Sequence, residues 1–142
     1  MNPIQLTCEH CARPVHAGRG GVRLYDHERD AAEAAHEAHQ AAQAAAVAIL
    51  DPLDFALTVD DLLRPPPPAR WRVEHDRCAT TGKAYAIEAG RIATTADALR
   101  WTVHLMQKPW TVHTDWARFI DRLVLAPERQ AASPPTRDRS DR

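Results

Sequence analysis

The sequence has little of what several common classes of small protein require. Its 142 residues include three cysteines and five glycines, and aromatic residues make up 6% of the chain. An odd and small number of cysteines excludes a disulfide-rich scaffold. The formal net charge of −1 argues against a chain built mainly to coat nucleic acid or an acidic membrane surface. The longest apolar run, residues 44–50, is far too short to span a bilayer.

Signals for export and motifs of enzymes are also missing. The start of the sequence lacks the charged-then-apolar order of a signal peptide, so we expect a soluble, cytoplasmic protein that binds no membrane. There is no glycine-rich phosphate loop, nucleophile elbow or paired-carboxylate constellation. His36 and His39 are three residues apart, whereas a metalloprotease helix needs two histidines four apart. We therefore expect no enzymatic activity.

The sequence does contain two short motifs of metal-ligating residues. Cys8 and Cys11 form a Cys-x-x-Cys pair, and His75 and Cys78 form a His-x-x-Cys pair. Each spacing allows one tight turn to present two ligands to a single Zn²⁺, and two such turns complete a tetrahedron. All three cysteines fall in this set, so we predict one structural zinc ion per chain, held by these four residues.

Two further histidines lie close to the first pair. His10 and His16 remain alternatives to His75 as the nitrogen ligand, although His10 lies inside the turn and His16 in the predicted hairpin.

A closed set of three sulfurs and one nitrogen leaves no open position for an activated water. The predicted metal site is therefore structural and not hydrolytic.

The order of the ligands resembles a known type of zinc module. A Cys-x-x-Cys knuckle, a glycine-turned hairpin and a His-x-x-Cys pair after an extended segment look like a treble-clef module, with the ligand order of the first zinc site of LIM domains. The resemblance implies structural ligation and a surface that is presented to protein or nucleic acid. Ala12 departs from it, because many knuckles have glycine after the second cysteine. A left-handed turn there would carry strain of order 1 kcal/mol.

Periodicity and turn residues predict an α+β fold. We expect a small zinc-stabilised knuckle, β-hairpin and short sheet that pack against C-terminal helices, with a long Ala-rich helix inserted between the ligand pairs. The hairpin is expected to turn at the glycines of residues 18–21. A strand is expected at residues 71–75, and a second strand or a short hairpin that turns at Ala89 and Gly90 is expected at residues 85–92. The helices are expected at residues 27–50, 95–108 and 114–125.

The same patterns predict one domain and a tail. The zinc-stabilised domain covers residues 1–126, with the Ala-rich insertion at 26–50 and a stiff proline spacer at 64–69. Residues 127–142 lack apolar periodicity and are expected to be disordered. Large apolar groups are few, so we expect the tryptophans to anchor the packing, namely Trp71, Trp101, Trp110 and Trp116.

The helices carry the remaining hypotheses about function. One helix has an apolar face that is predicted to pack inward. It consists of residues at helical spacing, Ala96, Leu99, Val103 and Met106, and is widened by Ala98, Trp101 and Leu105. The preferred function is a zinc-containing protein-interaction module, whose partner is another protein or a second copy bound through the Ala-rich helix. The alternative is a DNA-binding or regulatory protein in which Arg118 and Arg122 of the last helix face DNA.

Overall fold

The computed structural model describes residues 3–48 and 63–133, which form a small antiparallel sheet and several helices. The α+β class predicted from the sequence is confirmed. The strands are β1 (Gly20–Tyr25), β2 (Arg72–His75) and β3 (Ala84–Glu88). The helices are α1 (Asp26–Ala48), α2 (Thr95–Met106), α3 (Trp116–Ile120) and α4 (Ala126–Ala132). Short 3₁₀ turns cover Ala89–Arg91 and Pro109–His113, and a π-helical turn covers Asp121–Leu125.

Strand β1 is the middle strand, and the sheet order is β2-β1-β3 with antiparallel pairing on both sides. The start of β1 needs glycine because both neighbours approach it closely. A Cβ atom on Gly20 would lie 2.2 Å from the carbonyl oxygen of Glu74, and one on Gly21 would lie 2.0 Å from that of Ile87. Neither contact is sterically allowed, so the two glycines permit the sheet to form.

The pairing around these glycines differs from the predicted hairpin. In the described part of the chain, β1 pairs with β2 and β3 and not with residues 14–16. Pro14 instead forms a bridge with Thr7, which closes the segment that carries the first two cysteines. A turn is present at Gly18, which has φ 77°, and the N–H of Arg19 there donates to the carbonyl of His16 at 3.0 Å. Gly20 and Gly21 instead lie in β1, where they permit the close approach of the two neighbouring strands.

The core is centred on Trp71, which is fully buried. Its ring makes edge-on contacts with Trp116 and Tyr85, with centroids 4.9 and 6.0 Å away. Its indole N–H donates to Oγ1 of Thr114 at 3.1 Å. Trp101 and Trp110 are partly buried against the same core, and the prediction that tryptophans anchor the packing is confirmed.

Asp115, the residue just before α3, lies inside this core. Its side chain is buried, and its Oδ1 accepts a hydrogen bond from the backbone N–H of Trp71 at 2.8 Å. The N–H of Asp115 donates to the carbonyl of Ala69 at 2.9 Å. The segment after the proline spacer is thereby fixed beside the last helix.

Helix α2 begins as the sequence predicts. Oγ1 of Thr94 accepts from the N–H of Asp97 at 3.2 Å, and the Asp97 carboxylate accepts from the N–H of Thr94 at 3.1 Å. This reciprocal arrangement is a capping box, in which two backbone donors at the helix start are satisfied by side chains.

The predicted inward face of α2 is confirmed for one part of its residues and wrong for the other. Leu99, Val103 and Met106 are 65%, 52% and 75% exposed, whereas Ala98 and Leu105 are buried. The helix has two neighbouring apolar stripes, one with Ala98 and Leu105 and one with Leu99, Val103 and Met106, and helical spacing alone does not decide which of them packs against the core. In the structure the first stripe is buried and the second is exposed to solvent.

The C-terminal helical segment continues beyond its predicted end at residue 125. The π-helical turn Asp121–Leu125 leads directly into α4, so residues 127–132 are helical where disorder was predicted. Pro127 lacks an N–H and its ring would clash within a regular helix; the wider turn immediately before it accommodates the ring. Residues 134–142 of the predicted tail lie outside the described residues.

Helix α1 follows β1 directly and packs through its first turns. Ala32 is buried, the guanidinium of Arg29 lies 5.3 Å from the ring centroid of Trp110, and the rings of His36 and His113 are 4.6 Å apart. Beyond His36 most of the helix is exposed. Residues 49 and 50 of the predicted helix lie outside the described part. No helix in that part is long and apolar enough to cross a membrane.

Candidate metal centre

The first ligand pair lies in a tight turn that hydrogen bonds close on both sides. The N–H of Cys8 donates to the carbonyl of Arg13, and the N–H of Ala12 donates to that of Cys8, both at 2.9 Å. Ala12 has a φ of 57°, which is the left-handed conformation expected after the second cysteine of such a turn. The side chains of Cys8 and Cys11 therefore face the same side of the turn.

The second pair lies where β2 ends. His75 is the last residue of the strand, and its carbonyl accepts from the N–H groups of Cys78 and Ala79, each at 3.0 Å. The first turn is attached to the same strand, since the N–H of Glu9 donates to the carbonyl of Val73 at 2.9 Å. Strand β2 thus carries one pair and holds the other against it.

The structure brings all four predicted ligand residues together. One donor atom from each of Cys8, Cys11, His75 and Cys78 lies within 4.8 Å of all the others. Cys8 and His75 are buried, and the other two are half-buried. None of the cysteines forms a disulfide. These residues can hold a metal ion, and the cluster contains neither His10 nor His16.

The ring of His75 is already oriented for ligation. Its Nε2–H donates to the carbonyl oxygen of Pro14 at 2.9 Å, and its Nδ1 lies 3.3 Å from Sγ of Cys11. When Nε2 carries the proton, Nδ1 presents a lone pair toward the sulfurs. A backbone carbonyl that fixes the ring in this way is the usual outer partner of a metal-bound histidine.

Backbone donors favour the ionised form of the first pair. Burial alone would raise the pKa of Cys8, but the N–H groups of Cys11, His75 and His10 donate toward its sulfur and lower the pKa from 9.0 to about 6. The N–H of Arg13 likewise lowers the pKa of Cys11. Both shifts favour the thiolate, which is the ligating form of cysteine.

The pKa values of the other two ligand residues, His75 and Cys78, are both raised. Burial raises the pKa of Cys78, and the neighbouring sulfurs of Cys8 and Cys11 raise it further. The hydrogen bond with the Cys8 sulfur raises the pKa of His75. Three thiolates at this separation repel one another, so their joint ionisation requires a cation among them.

Sequence reasoning missed two residues that support both turns. Glu74 is 1% exposed, and its carboxylate accepts from the hydroxyl of Tyr25 at 2.5 Å and lies 3.3 Å from Nε2 of His10 in the first turn. The Tyr25 oxygen accepts from the N–H of Thr80 at 3.0 Å, just after the second turn. Successive residues of a strand face opposite sides, so Glu74 and Val73 lie on opposite sides of β2. Nothing in the sequence around Glu74 indicates that the turn containing Cys8 and Cys11 covers its side of β2.

The residues proposed for DNA contact lie away from this cluster. Arg118 and Arg122 are exposed on α3 and the following π-helical turn. Nη2 of Arg122 lies 3.7 Å from Oδ2 of Asp115, so part of its charge is matched within the chain. Their placement adds no observation in favour of the DNA-binding alternative.

Comparisons of this chain with protein-family models, with curated proteins and with solved structures found no match. The geometry of the cluster and the surfaces around it are therefore the features of the chain that bear on its function.

Proposed function

We propose that this protein is a non-enzymatic protein-interaction module built around one structural zinc ion. The ligands are Cys8, Cys11, His75 and Cys78, in an order similar to that of treble-clef modules. The single observation that carries the proposal is the convergence of four donor atoms within 4.8 Å from two separate turns. The backbone hydrogen bonds to the Cys8 sulfur and the fixed ring of His75 support it.

The donor set favours zinc over other common metals. Three thiolates and one imidazole are soft and borderline ligands, which suit Zn²⁺ and disfavour Mg²⁺ or Ca²⁺. Four protein ligands complete a tetrahedron, which is typical of structural sites, whereas catalytic sites keep one position for water. Unpaired thiols fit the reducing cytoplasm, where such ligands remain available for metal.

The ion would act as a clip between distant parts of the chain. Its ligands come from the segment before β1 and from the end of β2, so ligation fixes the N-terminal segment against the sheet. A clip that closes a long loop removes much conformational freedom from the unfolded chain. Binding free energy of the metal then becomes folding free energy, on the order of 10 kcal/mol for structural zinc at neutral pH.

The exposed helices are the surfaces that such a clip would position. Most of α1 beyond His36 is exposed and rich in alanine, which suits close approach of a second helix, including that of another copy. The exposed apolar stripe of α2 is a second surface of this kind. Both observations favour a binding role over catalysis.

Metal analysis of the purified protein tests the proposal. We expect one zinc per chain, which Cys78→Ser loses together with thermal stability. His16→Asn is the matched control, because this exposed histidine lies outside the cluster and its variant should keep both metal and stability. A natively folded protein without metal, or full zinc retention in Cys78→Ser and Cys8→Ser, would overturn the proposal.

A further inference from the structure

A cleft of about 510 Å³ lies beside the metal cluster, with His75 among its lining residues. One wall comes from the loop before β1, and the other comes from the end of β2 and the residues just after it. Two hydrogen bonds join these walls, since the N–H of Asp76 donates to the carbonyl of Arg19 and Nε2–H of His75 donates to that of Pro14, both at 2.9 Å. The fold therefore holds the cleft in place, and its size lies within the range of about 300–1,000 Å³ that is usual for small-ligand sites.

Three arginines line this cleft, namely Arg13, Arg19 and Arg77. All three are exposed, and within the described residues none of their side chains has an ion pair, a hydrogen bond or an aromatic partner. A guanidinium without a partner keeps its five N–H donors for solvent or for a ligand. Because Arg13 and Arg19 belong to the first wall and Arg77 to the second, both sides of the cleft are positively charged.

This grouping of arginines is specific to the cleft. In the described part of the chain most arginines pair with a carboxylate or an aromatic ring, as Arg72 does with Glu28 and Arg91 with Trp101. The arginines of that part without such a partner are Arg13, Arg19, Arg64, Arg77 and Arg118. Most of these line one cleft, although the formal net charge of the whole chain is −1. Such a local excess of positive charge attracts an anion.

The carboxylates near the cleft do not cancel this charge. Asp76 is a lining residue, but its Oδ1 is paired with Nη2 of Arg23. The N–H of Gly18, another lining residue, donates to Glu88 at 2.6 Å, and this bond, together with the nearby charge of Arg91, lowers the pKa of Glu88. Each of the two acidic groups thus has an arginine of its own, and the three lining arginines remain unmatched.

We propose that this cleft binds a phosphate monoester, the group that small phosphorylated molecules and phosphorylated side chains of proteins share. The site uses residues outside the metal-ligand set and goes beyond the proposed interaction function. A phosphate monoester carries a charge of about −1.5 to −2 at pH 7 and offers three strong acceptor oxygens. The planar fork of an arginine matches two such oxygens, so Arg13, Arg19 and Arg77 are suited to hold one phosphate between the two walls.

The form of the cleft favours this compact group over the backbone of a nucleic acid. Single-stranded nucleic acid binds along a positively charged groove that follows successive phosphates and provides aromatic rings for base stacking. The three arginines lie in one confined cleft, and among the described residues its lining includes no tryptophan, tyrosine or phenylalanine. A single dianion fits this arrangement better than an extended polyanion.

An NMR titration of the isotopically labelled, zinc-loaded full chain tests the proposal. The probes are inorganic phosphate, a blocked pentapeptide with a central phosphoserine, the same peptide without phosphate, and dimethyl phosphate, a diester with one charge. We expect a Kd of about 0.1–1 mM for the first two, with shifts of the amide and arginine Nε–H signals of the cleft. The unphosphorylated peptide should not bind, and dimethyl phosphate should bind at least about fivefold more weakly than inorganic phosphate.

The comparison of the two phosphorylated probes identifies the source of the ligand. If the phosphopeptide binds at least about tenfold more tightly than inorganic phosphate, the ligand is a phosphorylated side chain of a partner. A smaller difference assigns the site to a small phosphorylated molecule. Either result supports a phosphate site.

Variants inside and outside the cleft make the test specific. Arg19→Gln and Arg77→Gln should each weaken phosphate binding by about threefold to tenfold, because each removes one charged donor group. Arg77→Lys keeps the charge without the planar fork and should lose less. Arg64→Gln is the matched control and should leave the affinities unchanged, because this exposed arginine also lacks an ion pair within the described residues but does not line the cleft.

Four results would overturn the inference. These are no signal shifts with either phosphorylated probe at about 10 mM, affinities that both glutamine variants of the cleft leave unchanged, equal affinity for dimethyl phosphate and inorganic phosphate, or tighter binding of a single-stranded oligonucleotide of about 12 nucleotides through the same arginines.

Zinc content and melting temperature are measured on every sample. If Arg19→Gln and Arg77→Gln both lose zinc, the arginines serve to balance the thiolate charge of the metal cluster, and the inference fails. Weakened phosphate binding with zinc retained supports it. If the unaltered protein retains zinc but binds no phosphate, this inference fails and the zinc proposal stands; an unaltered protein without zinc fails the proposed function itself.

Discussion

Replacement of Ala12 by glycine should stabilise the protein. The residue follows the second cysteine in a left-handed conformation, with φ 57°, and its side chain is exposed. An L-residue with a Cβ pays about 1–2 kcal/mol there, whereas glycine loses about 0.5–1 kcal/mol more chain entropy on folding. Because no packing contact is lost, the net expectation is about 0.5–1 kcal/mol of added stability.

Urea denaturation of the zinc-saturated protein measures this difference, and a thermal melt should show a rise of about 1–4 °C for a chain of this size. The matched control is Ala34→Gly, an exposed alanine within α1. There the same substitution should destabilise by about 1 kcal/mol, because the helix needs no left-handed residue. Equal destabilisation by both substitutions would refute the assigned geometry of the cysteine turn.

Three further predictions concern contacts of the core and the sheet outside the metal cluster. Asp115→Ala should destabilise by about 1–3 kcal/mol in a denaturant titration, because it leaves a buried N–H unpaired, while Asp115→Asn keeps an acceptor and should lose less. Gly21→Ala should prevent stable folding, judged by circular dichroism. At Gly90 an added Cβ would lie 2.9 Å from the Glu88 carboxylate and 3.1 Å from the Cβ of Ala17, so Gly90→Ala should destabilise the protein but leave it folded. The backbone N–H groups of Gly18 and Gly90 lower the pKa of Glu88 from 4.5. The ionised carboxylate therefore contributes to the stability of the folded protein above pH 4.5, and this contribution is lost as the pH falls through the lowered pKa. The difference in melting temperature between the unaltered protein and Glu88→Gln should accordingly shrink as the pH is lowered.

Local chemistry explains what could be predicted from the sequence. The two ligand pairs each lie within one turn, so spacing alone identified the residues that the fold brings together. The Thr94 and Asp97 capping box and the run of strong helix formers in α1 are similarly local. Each feature depends on residues a few positions apart.

The features that escaped prediction depend on distant parts of the chain. Glu74 is buried because the cysteine turn, far away in the sequence, covers its side of β2. Gly21 is needed because β3 approaches it, and no hairpin signal contains that information. Helical periodicity alone would allow either Leu99 or Leu105 to be buried, and the arrangement of the tryptophans determines that Leu105 is the buried one.

X-ray absorption at the zinc edge of the purified protein tests the central claim, a closed structural zinc site, most directly. We expect one tetrahedral zinc with three sulfurs at about 2.3 Å and one nitrogen at about 2.0 Å, and Cys78→Ser should lower the sulfur count or abolish the site. A bound water in the first shell of the unaltered protein, two nitrogens with two sulfurs, or an absence of bound zinc would contradict it.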